Sequence, residues 1–257
     1  MSKPVLKWVG GKTQIMHKVL SNFPDEIPGD YYEPFIGGGS VLLSVIPRVK
    51  GKIYASDLNP HLIEMYKMIQ NDPEGLITEL SILQNDITEE TYYNRRNQYN
   101  SFQTPALFIY LNKVGFRGLY REGPNGFNVP YGHMKNPTLM DPDNIRRVSL
   151  AIQNVEFTCM SYEKALDKTT TNDFVYMDPP YVPENATSFT AYTRKEFNHK
   201  EFFDKIKTLE SRWVMSNSSV LLVHEAFKDF KIEEIPARRA IHSKDPSTMT
   251  TEVIIKN

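Results

Sequence analysis

The chain has 257 residues, a formal net charge of −1, 40% hydrophobic and 12% aromatic residues, and one cysteine. That suffices for one large domain, or a domain with a sizeable insertion, and suits a soluble protein with a real core. It excludes a membrane span, which needs about 18 apolar residues in a row, and an intrachain disulfide; with no apolar signal region near Met1, the expected location is cytoplasmic, or a host cytoplasm or nucleus if the source is viral.

Lys7-Trp8-Val9-Gly10-Gly11-Lys12-Thr13 comes first and leads into a helical stretch, 14–22. Gly-Lys-Thr suggests a phosphate loop, but that pattern needs glycine at position 6, where Leu6 stands, so a nucleotide triphosphatase is rejected. Two glycines ahead of a helix still leave backbone N–H groups suited to an anionic group. Residues 31–36 read as a strand, followed by Gly37-Gly38-Gly39-Ser40 and an apolar helix start at Val41. Strand, glycine turn, helix is the nucleotide-binding unit of a doubly wound sheet. A second strand, 52–56, ends on Asp57, 20 residues after Gly37. An acid at that spacing can accept hydrogen bonds from both ribose hydroxyls. Leu42 replaces the third glycine of the dinucleotide pattern, so the unit suits an adenosine-bearing ligand better than a pyrophosphate.

Residues 61–70, 73–83, 88–99 and 105–112 read as helices without strand signal, a helical insertion in the α/β domain. From 61 to 91 there is one lysine against seven acids, and from 92 to 147 eight Lys and Arg against three acids. The second segment is either a basic surface or ordinary scatter of charge. Within 113–137, Arg117, Arg121, His133 and Lys135 alternate with Phe116, Tyr120, Phe127 and Tyr131 on a glycine-rich ribbon. The turn Pro124-Asn125-Gly126 before a short strand, Phe127-Asn128-Val129, predicts a hairpin. Basic residues interleaved with aromatics suit a nucleic-acid groove; a solvated hairpin with core aromatics is the alternative.

The α/β pattern returns with helix 143–152, strands 154–158 and 174–177, helix 199–210, strand 212–217, helix 220–226, and strands 231–235 and 252–255. Residues 182–198 and 236–250 read as long loops. Cys159, at a strand end, is expected to be a buried structural thiol. The six histidines are scattered and form no metal-ligand pattern. Asp178-Pro179-Pro180-Tyr181 follows the apolar strand directly. Its prolines forbid both strand pairing and helix, which sets an acid, a rigid turn and an aromatic ring at the carboxyl end of a strand. By itself the tetrapeptide reads equally as a solvated turn or as a ligand site.

Together these stretches resemble the DNA adenine methylase (Dam) family, the alpha group of N6-adenine DNA methyltransferases. The resemblance rests on Lys7 to Lys12, Glu33-Pro34-Phe35-Ile36-Gly37-Gly38-Gly39, Asp57-Leu58-Asn59, the run from Asn112 to Arg121, Phe127-Asn128-Val129-Pro130-Tyr131-Gly132, Asp178-Pro179-Pro180-Tyr181 and Ser216-Asn217-Ser218, in that order. It implies a Rossmann-like S-adenosylmethionine-dependent methyltransferase sheet, residues 1–60 and 145–257, with an inserted helical target-recognition domain, 61–144, carrying a β-hairpin. It implies S-adenosylmethionine as methyl donor, held by Trp8, Lys12, Glu33, Pro34, Phe35, Gly37, Asp57 and Asp178. Asp178, the Pro179 carbonyl and Tyr181 would carry catalysis, accepting hydrogen bonds from N6 of a flipped adenine and stacking on it.

The partner implied is double-stranded DNA, read as a short palindrome such as GATC. Lys7 would take the first guanine, Leu119, Arg121 and Pro130 the outer base pairs, and Phe116 would insert beside the flipped base. Asn128 joins this set. Arg117 stands where Asn is usual, His133 where Arg is usual, and Ser161 where an Asp is common near the cofactor adenine. No metal and no membrane are expected, and the enzyme is expected to be a monomer. Two other readings were weighed. Methylation of another nitrogen, in RNA or in protein glutamine, is opposed by the basic hairpin and the Lys7 motif. A DNA-binding protein without catalysis is opposed by the intact Asp178 and Tyr181.

Overall fold

A computed structural model describes residues 2–183, 197–238 and 249–257. Its strands are β1 (Tyr31–Glu33), β2 (Ile53–Asp57), β3 (Glu122–Gly123), β4 (Gly126–Phe127), β5 (Val155–Cys159), β6 (Phe174–Met177), β7 (Arg212–Ser218), β8 (Lys231–Arg238) and β9 (Met249–Lys256). Seven of them form one sheet in the order β5-β2-β1-β6-β7-β9-β8. The first five of that order are parallel, and β9 runs antiparallel to both β7 and β8. The fold is therefore α/β and Rossmann-like. Strand order reverses between β1 and β6, so the crevice at a topological switch point opens where Glu33 and Met177 end their strands. The glycine turn leaves one of these ends and Asp178 the other.

Local chemistry explains most boundaries. Pro34 stops β1 at Glu33, although Ile36 N–H still donates to the Ser56 carbonyl, 3.0 Å. The tetrapeptide's prolines end β6, whose four residues are all buried. The helices α1 (Met16–Leu20), α2 (Ser40–Val45), α3 (Pro60–Asn71), α4 (Pro73–Gln84), α5 (Glu89–Phe102), α6 (Pro105–Val114), α7 (Pro142–Ala151), α8 (Tyr162–Leu166), α9 (His199–Lys207) and α10 (Leu221–Ala226) follow. Four of them begin with proline behind an Asn, Asp or Thr whose side chain accepts a backbone N–H: Asn59, Asp72, Thr104 and Asp141. Such a cap satisfies donors the first helical turn leaves open, at the position where proline lacks an N–H to lose. Helix α3 packs on β2 and β5 as well as on α6 and α7, so the helical segment shares one core with the sheet.

The structure corrects several expectations. Strands β8 and β9 run further than 231–235 and 252–255, and so shorten the expected loop between them. Pro236 is tolerated because β8 is the edge strand, where a missing N–H interrupts no second ladder. Residues 184–196 and 239–248 of the two expected loops lie outside the described residues. Cys159 is exposed rather than buried; it ends β5, the opposite edge of the sheet, with its Sγ 3.7 Å from the Leu58 carbonyl. Strand β4 covers Gly126–Phe127 rather than 127–129, because the β3–β4 ladder has only two Cα pairs. Helix α8 was not anticipated.

Candidate active site and DNA interface

The glycine turn is shaped by what lies against it. Gly37 and Gly39 have φ of +46° and +69°, values that L side chains rarely adopt. A Cβ on Gly37 or Gly38 would stand 2.8 Å from the Trp8 side chain, and one on Gly39 would stand 2.5 Å from the Tyr66 hydroxyl. The Tyr66 hydroxyl donates to the Gly37 carbonyl, 3.1 Å. Across the crevice mouth, Asp57 Oδ2 accepts from Gly37 N–H at 3.1 Å and Oδ1 from Asn59 N–H at 2.9 Å. With Leu58 N–H as a further backbone donor, the carboxylate still has acceptor capacity for a ligand hydroxyl. Burial pushes the Asp57 carboxyl up, and the backbone N–H groups oppose that.

Beneath the turn, Glu33 is 2% exposed and Oε2 accepts from the Tyr31 hydroxyl at 2.6 Å. Burial pushes its carboxyl up to about 8, so at neutral pH it is largely protonated. Pro34 is also buried. Phe35 is half-buried in an aromatic cluster with Tyr162 at 5.6 Å, Phe202 at 5.6 Å and Phe197 at 5.9 Å between ring centroids. Ser161, just before Tyr162, is the N-cap residue of α8 and its side chain makes no capping bond.

Lys12 and the tetrapeptide form the centre of the crevice. The Lys12 side chain is 3% exposed; its Nζ lies 2.7 Å from Asp178 Oδ2. It also donates to the Gly10 carbonyl at 2.6 Å and stands 4.9 Å from the Tyr181 ring centroid. The Tyr181 hydroxyl donates to Glu252 Oε2 on β9 at 2.7 Å. Asp178 Oδ1 is buried without a hydrogen-bond partner among the described residues. Burial raises the Asp178 carboxyl and the Lys12 ammonium opposes that rise. The turn itself is clamped from β7. Asn217 Oδ1 accepts from Val182 N–H at 3.1 Å, and Ser218 Oγ donates to the Val182 carbonyl at 2.6 Å. Asn217 Nδ2 is a second buried group without a partner among the described residues.

The remaining candidate residues gather on a separate surface formed by the Lys7 loop, the end of α6 and the β3–β4 hairpin. Buried Asn112 joins the parts: its Oδ1 accepts from Lys7 N–H at 2.9 Å, and its Nδ2 donates to the carbonyls of Lys7 and Gly118 at 2.7 and 3.0 Å. Lys7 is exposed, with Nζ 3.4 Å from Met134 Sδ. Half-buried Lys113 is pushed down to about 8 by burial and by the Lys7 ammonium. Neither lysine forms an ion pair among the described residues. Phe116 is 42% exposed, and the Arg117 guanidinium lies 5.1 Å from its ring centroid. Arg117 and His133 hold φ of +56° and +50°, and both side chains are exposed.

Arg121 Nε donates to Asn128 Oδ1 at 2.6 Å across the hairpin, which lays both exposed side chains side by side. Pro130 is exposed and its carbonyl accepts from Phe116 N–H at 2.9 Å, while Leu119 is half-buried against the core. Helix α5 braces the hairpin from behind, its Tyr92 hydroxyl donating to the Val129 carbonyl at 2.9 Å. Among the described residues no group of three His, Cys, Asp or Glu is placed to hold a metal ion, and no helix is long and apolar enough to cross a membrane.

The structure thus brings Lys12, Asp178 and Tyr181 together, sets Trp8, Gly37 and Asp57 beside them, and gathers Lys7, Phe116, Arg117, Arg121, Asn128, Pro130 and His133 on a cationic and aromatic surface. Glu252, Asn112, Tyr66 and Tyr162 were missed as site residues. Asn112 and Asn217 lay inside motifs already singled out, but nothing local marks Glu252, one acid in a strand.

A largely parallel sheet with its glycine turn, Asp57 and Asp178 converging at the switch point defines a Rossmann-like α/β fold with a candidate ligand site at its strand ends. Residues 8–241 match the model of the D12 class N6 adenine-specific DNA methyltransferases, and the chain belongs to that family. It is 37% identical over 270 residues to the type II methyltransferase M.MjaIII of Methanocaldococcus jannaschii, covering 94% of this chain and 93% of that one. It is 36% identical to the type II methyltransferase M1.LlaDCHI of Lactococcus lactis subsp. cremoris, covering 99% and 95%. It is 31% identical to the DNA adenine methylase of Escherichia coli strain K12, covering 94% and 90%. The protein is an adenine-specific DNA methyltransferase.

Proposed function

We propose that this enzyme transfers a methyl group from S-adenosylmethionine to N6 of an adenine flipped out of a short palindromic duplex site, GATC or a related sequence. The observation that carries this reading is Asp178: a half-buried carboxylate whose Oδ2 is held by Lys12 and whose buried Oδ1 has no partner among the described residues. S-adenosylmethionine, when bound, supplies a methyl group already activated as a sulfonium. The residues fit it: Asp57 retains lone pairs for ribose hydroxyls, and Asp178 and Glu252 outnumber the single Lys12 ammonium, which favours a cationic ligand. Trp8 lies against Gly37, and Phe35, Glu33 and Pro34 at the end of β1 are assigned to cofactor binding with them.

The N6 lone pair of adenine is delocalised into the ring. Asp178 Oδ1 and the Pro179 carbonyl accept the amino hydrogens and localise that lone pair toward the methyl, while the Tyr181 ring stacks on the base. Orienting donor and acceptor supplies much of the acceleration. The functional division assigns catalysis to residues 1–60 and 145–257 and target recognition to 61–144. In the latter, Arg121 with Asn128, Leu119, Pro130 and His133 read the outer base pairs, Arg117 joins them or the phosphates, and Phe116 fills the gap left by the flipped base. Lys7, together with Lys113, forms a cationic site for guanine or phosphate. The enzyme works as a monomer without a metal.

Methylation-sensitive sequencing of DNA exposed to the enzyme and S-adenosylmethionine tests the reading. Methylated adenines in one short motif are expected; no transfer to any DNA, with DNA still bound, would sink it. Asp178→Ala is expected to abolish transfer while DNA binding survives.

A further inference from the structure

Two features of the crevice compete for one proton donor. Tyr181 and Asp178 belong to the same tight turn, close enough that the phenol bears on the Asp178 carboxyl, although Oδ1 itself has no hydrogen-bond partner among the described residues. A buried carboxylate oxygen left without a donor loses its hydration with nothing in return, so Asp178 Oδ1 is a strong attractor for a neighbouring phenol. The phenol stays neutral, because burial and the two carboxylates raise its pKa well above the ordinary value. Yet its hydroxyl is engaged elsewhere, with Glu252 Oε2 at 2.7 Å. Glu252 reaches it from β9, where it lies opposite Ser218 of β7. The Tyr181 ring is therefore tethered at its para position and faced by Lys12 Nζ.

We infer that Glu252 is a positioning residue: by holding the Tyr181 hydroxyl on β9 it keeps Asp178 Oδ1 open to the substrate amino group and sets the tilt of the stacking ring. The inference rests on the proposed roles of Asp178 and Tyr181. Glu252 itself touches neither base nor methyl group. Without Glu252, the hydroxyl turns to Oδ1 and occupies the acceptor that N6 needs. The loss is reversed by deleting the hydroxyl, which a purely structural role for Glu252 would not produce.

The test compares full-length wild type, Glu252→Ala, Tyr181→Phe and the double variant. Glu252→Ala is expected to lower kcat about tenfold or more at saturating DNA and S-adenosylmethionine. Tyr181→Phe keeps the stacking ring and sets its own reference rate, and the double variant is expected to be faster than Glu252→Ala and within about threefold of Tyr181→Phe. A double variant as slow as Glu252→Ala, or a Glu252→Ala enzyme with wild-type kcat, overturns the inference. If Glu252→Ala does not fold, Glu252→Val, a better strand former, takes its place.

A second measurement needs no turnover: carbon-13 NMR titration of the Asp178 carboxyl in cofactor-free protein. In Glu252→Ala the phenol donates to Asp178 and lowers its pKa, and adding Tyr181→Phe raises it again; no rise on adding Tyr181→Phe overturns the inference. A wild-type enzyme that methylates no DNA would refute the proposed function and leave this titration to judge Glu252.

Discussion

Lys12→Met isolates the electrostatic role of the buried ammonium while keeping most of its apolar stem. In the wild type Lys12 Nζ is 2.7 Å from Asp178 Oδ2, and the two side chains are only 3% and 21% exposed. An opposite charge that close holds a carboxyl down by about 1–3 pH units, each worth about 1.36 kcal/mol. Removing it adds that rise to the one burial already imposes on Asp178. Asp178 accepts the amino hydrogens far better when ionised, so the rate is expected to fall on the acid side, and the acid limb of kcat to move up by about one to three units. Below the limb this is a loss of about 10- to 1,000-fold that shrinks as pH rises.

Stability moves with the opposite emphasis. At high pH the variant keeps an unpaired, half-buried carboxylate, a cost of at most about 3–5 kcal/mol, and it recovers stability as pH falls and Asp178 takes up a proton. The assay is kcat against pH at saturating S-adenosylmethionine, with urea unfolding at both ends of the range. A uniform loss of kcat at every pH would show that Lys12 only binds the cofactor. An unmoved limb in a folded, active variant would refute the coupling to Asp178.

Glu33, held up to about 8 against an ordinary 4.5, makes native stability fall as pH rises through that window, by up to roughly 5 kcal/mol. Glu33→Gln mimics the protonated form and should abolish the fall, so urea midpoints of variant and wild type that run in parallel between pH 5 and 9 would dismiss it. Asn112→Ala removes bonds to both backbone groups of Lys7 and to the Gly118 carbonyl. It should cost about 2–3 kcal/mol of stability and reduce discrimination at the base pair Lys7 reads about tenfold; a competition assay showing unchanged discrimination would release Lys7 from the clamp. Arg121→Ala should relax preference at one base pair by about 1–3 kcal/mol, and intact preference would remove Arg121 from the recognition set.

Much of the site was legible because the constraints that place it are local. Pro179-Pro180 ends β6 because proline has no N–H to pair in a central strand, whereas the strand expected over 31–36 stops already at Glu33, before Pro34. The run of three glycines marks a turn where positive φ and close approach are needed, and Asn59-Pro60 or Asp141-Pro142 announces a helix by cap and ring geometry. The failures share a different cause. Cys159 looked buried because it follows alternating apolar residues, yet β5 is an edge strand, and edge position is a property of sheet order. The expected strand 231–235 stops short of Pro236, a residue that would interrupt a central strand and is tolerated in this edge strand.

The sequence by itself determined where the proline-led helices start, that β6 stops at its prolines, which segments carry glycine or charge, and, through its motif order, the family. Only the tertiary structure decided which of those pieces touch. Tyr181 and Glu252 lie 71 residues apart, and Lys7 and Asn112 lie 105 apart. Periodicity tells each residue which face of its own element it occupies, but neighbours across elements follow from strand order and the switch between β1 and β6. Those set Lys12 against Asp178 and leave Asp178 Oδ1 open.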